Sequence, residues 1–433
     1  MGLLDTPYMP PERDQGKFFR KGVSRGQILT RCATTALVTG SGSGTGWDVT
    51  MDPMMPAMGN KSIKIQPAAL NADYVQAEVV TDTPLLMNTE GPVSFLFYVE
   101  NPLMVQTINV LFYMSGRDGY MEGTLRLSEH VRNNWGWYSV ARSSFTPVGT
   151  ATTANWNYPV DRIIYKIQYA TNGAPPVWCG GVVYNAKDRP KLVLGFDGSY
   201  DTQYLVVLPK LRDVGVTATL YTDTLFLGTS ALYLSEAQLD EMYEAGFEVA
   251  WHGYTKYGAL DDTAIYTDQA DVEAQLNGFW EWCRIRGYVK GIGHLCYPIG
   301  NPNKNASLTI RDYIIEAMRN TGVKTARLGY DASSNKQLQP TALGVLEPYA
   351  LSVRPLVTST TLATAKTWID DAISRGETIF IYGHQFMNSP PNGNFWDSQD
   401  FRDLIDYAVA KRDAGLLDIP GRVSDWWIGV GGT

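Results

Sequence analysis

Histidine is scarce in this chain: His130, His252, His294 and His384 are all that 433 residues hold. Cysteine is as rare. Cys32, Cys179, Cys283 and Cys296 are scattered with no C-x-x-C pair, which excludes a zinc knuckle and a dense disulfide framework and leaves the redox compartment open. No apolar run approaches the roughly 20 residues that cross a bilayer, so no membrane span is expected. The opening MGLLDTPYMPPERDQGKFF has no basic segment followed by an apolar stretch, so no secretory signal is expected either. Positive charge is also short: 36 Lys and Arg against 44 Asp and Glu give a net charge of -8. Phosphate neutralisation needs the opposite surface, and nucleic acid is excluded as an expected partner. A composition 44% hydrophobic and 18% charged rules out a disordered chain. The length admits two or three domains, each with its own core.

Three regions differ in grammar. Residues 1–46 contain Pro-Pro, little periodicity and a basic bias (Arg13, Lys17, Arg20, Lys21, Arg25, Arg31), and they end in VTGSGSGTG, a flexible-linker composition. This reads as a docking arm and linker. Residues 47–187 carry short β-rich runs, VSFLFYVE, TINVLFYM, IIYKIQYA and VWCGGVVY, broken by Gly, Pro and Asn. They predict an all-β sandwich of jelly-roll type. Its Trp135, Trp137, Tyr138, Trp156 and Tyr158 suit either a sugar-stacking face or a sandwich core. From residue 188 to 433 strand and helix alternate about seven times, beginning with KLVLGF and ending with TIFIYGH and SQDFRDLIDYAVAKRDAG. That alternation predicts an α/β fold with a parallel sheet or barrel. Ser235 and Gln238 form a capping-box pattern at the start of one of its helices.

In parallel α/β folds, ligands sit at the C-terminal ends of the strands. Asp197, His252, the stretch His294 to Ile299, and His384 all fall at or just after predicted strand ends. Three of the four histidines are therefore in the region where chemistry is expected, and imidazole is both a common metal ligand and an acid/base near neutral pH.

These residues, in this order, resemble the motifs of the NodB-homology polysaccharide deacetylases, carbohydrate esterase family 4, over roughly residues 188–428. The family's T-F-D-D-G is similar to Gly195-Phe196-Asp197-Gly198-Ser199, and its H-[ST]-x-x-H to His252 in FEVAWHGYTK, with Lys256 at the second His position. Its Pro-containing turn resembles Cys296-Tyr297-Pro298-Ile299-Gly300, and its final strand-end His is matched by His384 in IFIYGHQF. The resemblance implies a NodB-like distorted (β/α) barrel that removes acetyl groups from sugars. It implies Asp197 as general base, His384 as general acid, the Ile299 amide as an oxyanion donor and His252 as a ligand of a divalent metal, usually zinc. Tyr254, Tyr297 and His294 are the expected substrate contacts.

Two of the family's metal positions are changed, since Gly198 stands at the metal Asp and Lys256 at the second His. A catalytic zinc normally has three protein ligands. The sequence therefore predicts that zinc is held weakly or not at all, unless Asp201 substitutes as a ligand, Lys256 supplies the positive charge, or His294 contributes. Cys296 stands where many members carry an Arg that orients the base. The arm, sandwich and deacetylase-like unit together look like a phage tail fibre or tailspike. That resemblance implies a virion-tail location, partner tail proteins reached through the arm, a homo-oligomer with a trimer among the options, and a capsule or O-antigen polysaccharide as substrate. A cytoplasmic enzyme, and a glycan receptor that keeps the fold without the chemistry, are the alternatives.

Overall fold

A computed structural model of the protein describes residues 24–32, 38–42, 47–55, 57–58, 61–67, 74–125, 133–149, 154–170, 174–302, 310–329, 338, 341–343, 345, 347–391 and 393–432. The arm ahead of residue 24 lies outside the described residues.

The first twelve strands are β1 (Ser24–Thr30), β2 (Val38–Gly42), β3 (Asp48–Asp52), β4 (Ser62–Gln66), β5 (Val75–Leu86), β6 (Pro92–Val99), β7 (Val105–Met114), β8 (Tyr120–Leu125), β9 (Asn134–Ala141), β10 (Thr146–Val148), β11 (Pro159–Tyr169) and β12 (Val177–Lys187). They form two antiparallel sheets. One runs β3-β4-β12-β6-β9, with β1 also on β12, and the other β10-β8-β7-β11-β5-β2. Alternate residues of β6 explain the layering: Phe95 and Phe97 face the second sheet, with Phe95 6.1 Å from Phe112 and Phe97 edge-on to Tyr165 at 5.9 Å. Leu96 and Tyr98 point the other way, into a separate cluster with Trp135, Trp137, Trp178, Ala342 and Leu343. Both faces of β6 are thus covered, which is why its sequence is apolar without alternation. Trp135, Trp137 and Tyr138 are buried core rings, while Trp156 and Tyr158 are half-buried against the sandwich core.

One expectation is corrected here. Residues 24–30 and 38–42, assigned to an arm and linker, pair as strands with β12 and β5. The glycines that signal a linker are what let β2 fit, because a Cβ on Gly40 would lie 2.6 Å from the Val49 side chain and one on Gly42 2.9 Å from the Trp47 ring.

The remaining chain is a mixed α/β unit. Its strands β13 (Lys191–Asp197), β14 (Thr219–Asp223), β15 (Glu248–Gly253), β16 (His294–Cys296), β17 (Thr325–Arg327), β18 (Arg354–Leu356) and β19 (Thr378–Gly383) are all parallel, in the order β17-β16-β15-β14-β13-β19-β18. Next in the chain come the small parallel pair β20 (Gln385–Met387) and β21 (Phe395–Asp397), and then β22 (Asp418–Gly421), which pairs with the N-terminal half of β13. The sheet curls into a half-barrel, and a parallel bridge between Arg327 and Leu351 draws its edges together. Around it lie α1 (Leu208–Asp213), α2 (Glu236–Glu244), α3 (Gln269–Ile285), α4 (Asp312–Asn320), α5 (Leu362–Arg375), α6 (Ser398–Asp413) and α7 (Val423–Gly429). The helix starts are fixed locally. Ser235 and Gln238 form the expected capping box on α2, and Asp268, Thr361 and Asp397 cap α3, α5 and α6. Each such cap is worth roughly 1 kcal/mol. Trp426 of α7 packs edge-on to Phe380 at 4.8 Å and closes the N-terminal floor, with Val193 and Val353. The open end is the C-terminal mouth.

Candidate active site

Side chains alternate along a strand, so residues two apart share a face. On the inward face, Gly195 and Asp197 of β13 stand beside Tyr221 and Asp223 of β14, then Ala250 and His252 of β15, Cys296 of β16 and Arg327 of β17, as the pairing registers require. Asp197, Asp223, His252, Cys296 and Arg327 are all buried.

Arg327 rises under Asp197 and pairs with its Oδ1. Its guanidinium lies between the rings of Tyr221 and Tyr382, 4.4 and 4.5 Å from their centroids, which replaces lost hydration with two π faces. Gly195 makes that sandwich possible, since a Cβ there would meet the Tyr221 ring at 2.8 Å. Burial alone pushes the Asp197 carboxyl up, but Arg327, helped by His252 and His384, brings it below its ordinary value. Asp197 is therefore ionised at neutral pH.

Asp223 closes β14 and accepts at Oδ2 from His252 Nδ1 at 2.7 Å. The Asp223 N–H donates to Ser199 Oγ at 3.0 Å, while its Oδ1 has no hydrogen-bond partner among the described residues. Burial opposes charge on His252, yet Asp223, with Cys296 adding to it, carries the imidazole well above its usual range. Gly253 admits this carboxylate, because a Cβ there would lie 2.1 Å from Asp223 Oδ1.

His384 follows β19 at the rim and is half-buried. Gln203 ties it to the base strand, its Nε2 donating to the carbonyls of Asp197 at 2.7 Å and His384 at 3.2 Å. Burial lowers His384 to about 4, against an upward pull from Asp197, so its ring is neutral near pH 7. Cys296 Sγ lies 3.7 Å from Asp197 Oδ2 and 3.4 Å from the Tyr297 carbonyl.

The other expected site residues scatter. Lys256 pairs with Asp271 in the first turn of α3, and the cation beside Asp197 is Arg327. Asp201 is half-buried where the chain turns helical after β13, and its N–H donates to the Leu232 carbonyl at 3.0 Å. Ile299 sits at φ 56° just past β16, and its N–H points at Tyr257 Oη, 3.4 Å away. The Tyr257 ring in turn lies 5.4 Å from that of His252. Tyr254 turns towards α3, against Gly278 and Phe279. Tyr297 is a core residue whose hydroxyl donates to the Tyr349 carbonyl at 3.0 Å. His294 lies one inward layer below Cys296, bonded through Nδ1 to Thr325 Oγ1 at 2.8 Å, and burial lowers it to about 3.

The structure adds Asp223, Arg327 and Tyr257 to the site. Asp223 and Arg327 obey the strand-end rule that selects Asp197 and His252, and each is the charged residue that terminates a buried strand.

A divalent ion is what the resemblance implies. Gly198 has no side chain to offer, and Lys256 is engaged elsewhere. Asp197, His252 and Cys296, however, place a carboxylate oxygen, a ring nitrogen and a thiol sulfur all within 4.8 Å of one another. Asp223 on Nδ1 supplies the carboxylate that metal-bound imidazoles characteristically have on their other nitrogen. The residues present fit a metal.

No protein-family model matches the chain, and no curated protein matches it. Solved structures do. An acetyl xylan esterase of family 4 from Clostridium thermocellum, in complex with a cobalt ion, is 14% identical with a TM-score of 0.35, over 56% of this chain and 92% of that one. A family 4 carbohydrate esterase from Streptomyces lividans, in complex with acetate, is 15% identical with a TM-score of 0.32, over 54% and 92%. A family 11 carbohydrate-binding module from Clostridium thermocellum, in complex with a mixed-linked tetrasaccharide, is 11% identical with a TM-score of 0.28, over 37% and 95%.

Proposed function

We propose that the chain is a hydrolase that removes acetyl groups from an acetylated polysaccharide, with bacterial capsule or O-antigen as the substrate class. The observation that carries this reading is the convergence of Asp197, His252 and His384 from three strands at one mouth, with Arg327 holding Asp197 charged, Asp223 raising His252 and burial keeping His384 neutral. Asp197, kept ionised by Arg327, takes the proton of the attacking water. His384 is neutral at rest, so it hands a proton to the leaving group only after receiving the one the water gave up. Asp197 and His384 therefore act as one relay. The Ile299 N–H, released from Tyr257, meets the developing oxyanion. A divalent ion held by His252, Cys296 and one lone pair of Asp197 Oδ2 would supply Lewis-acid polarisation of the acetyl carbonyl, leaving the second lone pair of that oxygen to take the water proton.

A second reading, a glycan receptor without chemistry, is favoured by one observation: Asp197 and His252 are each only 2% exposed. Acetate release from acetylated surface glycans separates the two. Asp197→Asn is expected to lower release by roughly 10²–10⁴-fold, the usual worth of a general base, with glycan binding retained. Lys256→Met is expected to leave turnover unchanged, because Asp271 and not the reaction centre holds its ammonium. Binding of a glycan with no acetate released by the wild type would favour the receptor.

The order of basic arm, antiparallel sandwich and α/β unit supports a virion tail as the setting. Other tail proteins, reached through the arm, and further copies of the chain in a homo-oligomer are the partners this setting proposes. Labelling the chain on intact particles tests that part separately.

A further inference from the structure

We propose that Cys296 is a metal ligand, and that Asp197, His252 and Cys296 form a carboxylate–imidazole–thiolate site for zinc or cobalt. This site replaces, rather than repairs, the positions lost at Gly198 and Lys256. It stands whether or not the chain hydrolyses a glycan.

Each donor is already committed to the same point. Arg327 occupies Asp197 Oδ1 and leaves Oδ2, which faces Cys296 Sγ at 3.7 Å. Asp223 occupies His252 Nδ1 and leaves the far ring nitrogen as the coordinating atom. Cys296 reaches the group because β16 pairs in parallel with both β15 and β17, which puts it between His252 and Arg327 on the inward face. The three ligand atoms fall within 4.8 Å of one another, and the 3.7 Å between Cys296 Sγ and Asp197 Oδ2 is a separation that two metal–ligand bonds of about 2.0–2.3 Å span. Thiolate with imidazole selects zinc or cobalt over magnesium and calcium, which prefer oxygen alone.

Charge closes as well. Coordination removes the proton from Cys296 Sγ and the one on the far nitrogen of His252, whose Nδ1 keeps the proton it gives to Asp223, so the imidazole is neutral and the carboxylate and thiolate together carry two negative charges, which the divalent ion neutralises. Arg327 and Asp223 cancel each other. No buried charge is left over, the condition for an ion this far from water. Asp201 and Lys256 have no part in the site.

The test is to express the full chain in cobalt-supplemented medium and record its absorption spectrum with elemental analysis. The expected result is one cobalt per chain with a near-ultraviolet sulfur-to-cobalt charge-transfer band. That band should vanish in Cys296→Ser and persist in Asp201→Asn and Lys256→Met. Asp223→Asn keeps all three ligands and is expected to weaken cobalt affinity by about 10–100-fold, as loss of such an outer partner does. The wild-type spectrum alone can overturn the proposal, so a Cys296 variant that fails to fold does not protect it. Bound cobalt without the sulfur band, a band that survives in a folded Cys296→Ser chain, or no bound cobalt would each end it.

Discussion

The two halves of the molecule bury different things. In the antiparallel sandwich, the described buried polar residues are hydroxyls: Thr30, Ser62, Thr81, Ser94 and Ser139. In the α/β unit they include Asp197, Asp223, Glu248, His252, His294, Arg327, Arg375 and Glu377. Hydroxyls are satisfied by a single neighbour, whereas buried charges need exact partners and give little net stability in return. A core built only to hold itself together looks like the sandwich. The barrel interior divides further. At its floor Glu248 is fully engaged, accepting from Thr219 Oγ1 at 2.7 Å and from the N–H and hydroxyl of Ser424, and so pins α7. At its mouth Asp223 Oδ1, Arg327 Nε and His384 Nδ1 have no partner among the described residues. Orphaned polar atoms occur among the described residues of the sandwich too, at Ser62 Oγ and the Trp135 and Trp137 indole nitrogens, but those on titratable side chains all lie in the α/β unit.

The strongest way to break this contrast is to remove one charge. Arg327→Met leaves the buried Asp197 carboxylate without its ion-pair partner, and the expected loss of stability is about 3–5 kcal/mol, read from the denaturant midpoint. Adding Asp197→Leu removes the stranded partner and is expected to restore most of that loss, since apolar replacement of a whole buried pair is close to neutral. If the double variant stays as unstable as the single one, the charges are part of what holds the fold and the contrast with the sandwich fails.

How much of this was legible in the sequence depends on how local each signal is. The strand-end rule finds Asp197, His252 and His384 because each follows its own apolar strand directly. It marks Asp223 and Arg327 equally well in retrospect, but nothing near Arg327 tells it that Asp197, 130 residues earlier, is its partner. Only the parallel order of β13 to β17 brings them together. Cys296 reads in the sequence as a lost arginine, because the replacement cation comes from the neighbouring strand. Lys256 reads as a replacement charge at the reaction centre, because the motif does not reveal that the first turn of α3 sets Asp271, fifteen residues on, against it. The VTGSG strand fails for a different reason. Its composition carries no β preference, and its conformation is imposed by pairing with β5 and by Trp47 and Val49 lying against its glycines.

A smaller effect sharpens the comparison at the floor. Burial pushes the Glu248 carboxyl up, and the hydrogen bonds from Ser424 and Thr219 offset only part of that. An acid whose folded value is raised stabilises the fold below its unfolded value near 4.5 and loses that contribution as pH rises through the folded value. Against Glu248→Gln, the wild type should therefore lose relative stability as pH rises across that window, at up to about 1.4 kcal/mol per pH unit. Melting curves of the two proteins at several pH values measure it. Parallel pH dependences would mean that its hydrogen bonds offset burial in full and that Glu248 is as comfortable ionised as neutral.

The smallest expected effect lies on the sandwich side of the seam. Ser94 Oγ donates to Ser139 Oγ at 3.3 Å, and Arg375 of α5 reaches across to the Ser139 carbonyl at 2.8 Å while pairing with Glu377 at 2.6 Å. The charged side of the seam is therefore anchored on a backbone carbonyl and a carboxylate, neither of which Ser94 touches. Ser94→Ala removes one neutral hydrogen bond between two hydroxyls, worth about 0.5–1.5 kcal/mol, and the Ser139 hydroxyl it deserts still lies 3.5 Å from Arg375 Nη2. The expected shift in denaturant midpoint is at the low end of that range. A loss as large as that of Arg327→Met would show that the sandwich also depends on a polar network running through the seam. The division between a core that only packs and one that holds charge for use would then have to be drawn somewhere other than between the two sheets and the barrel.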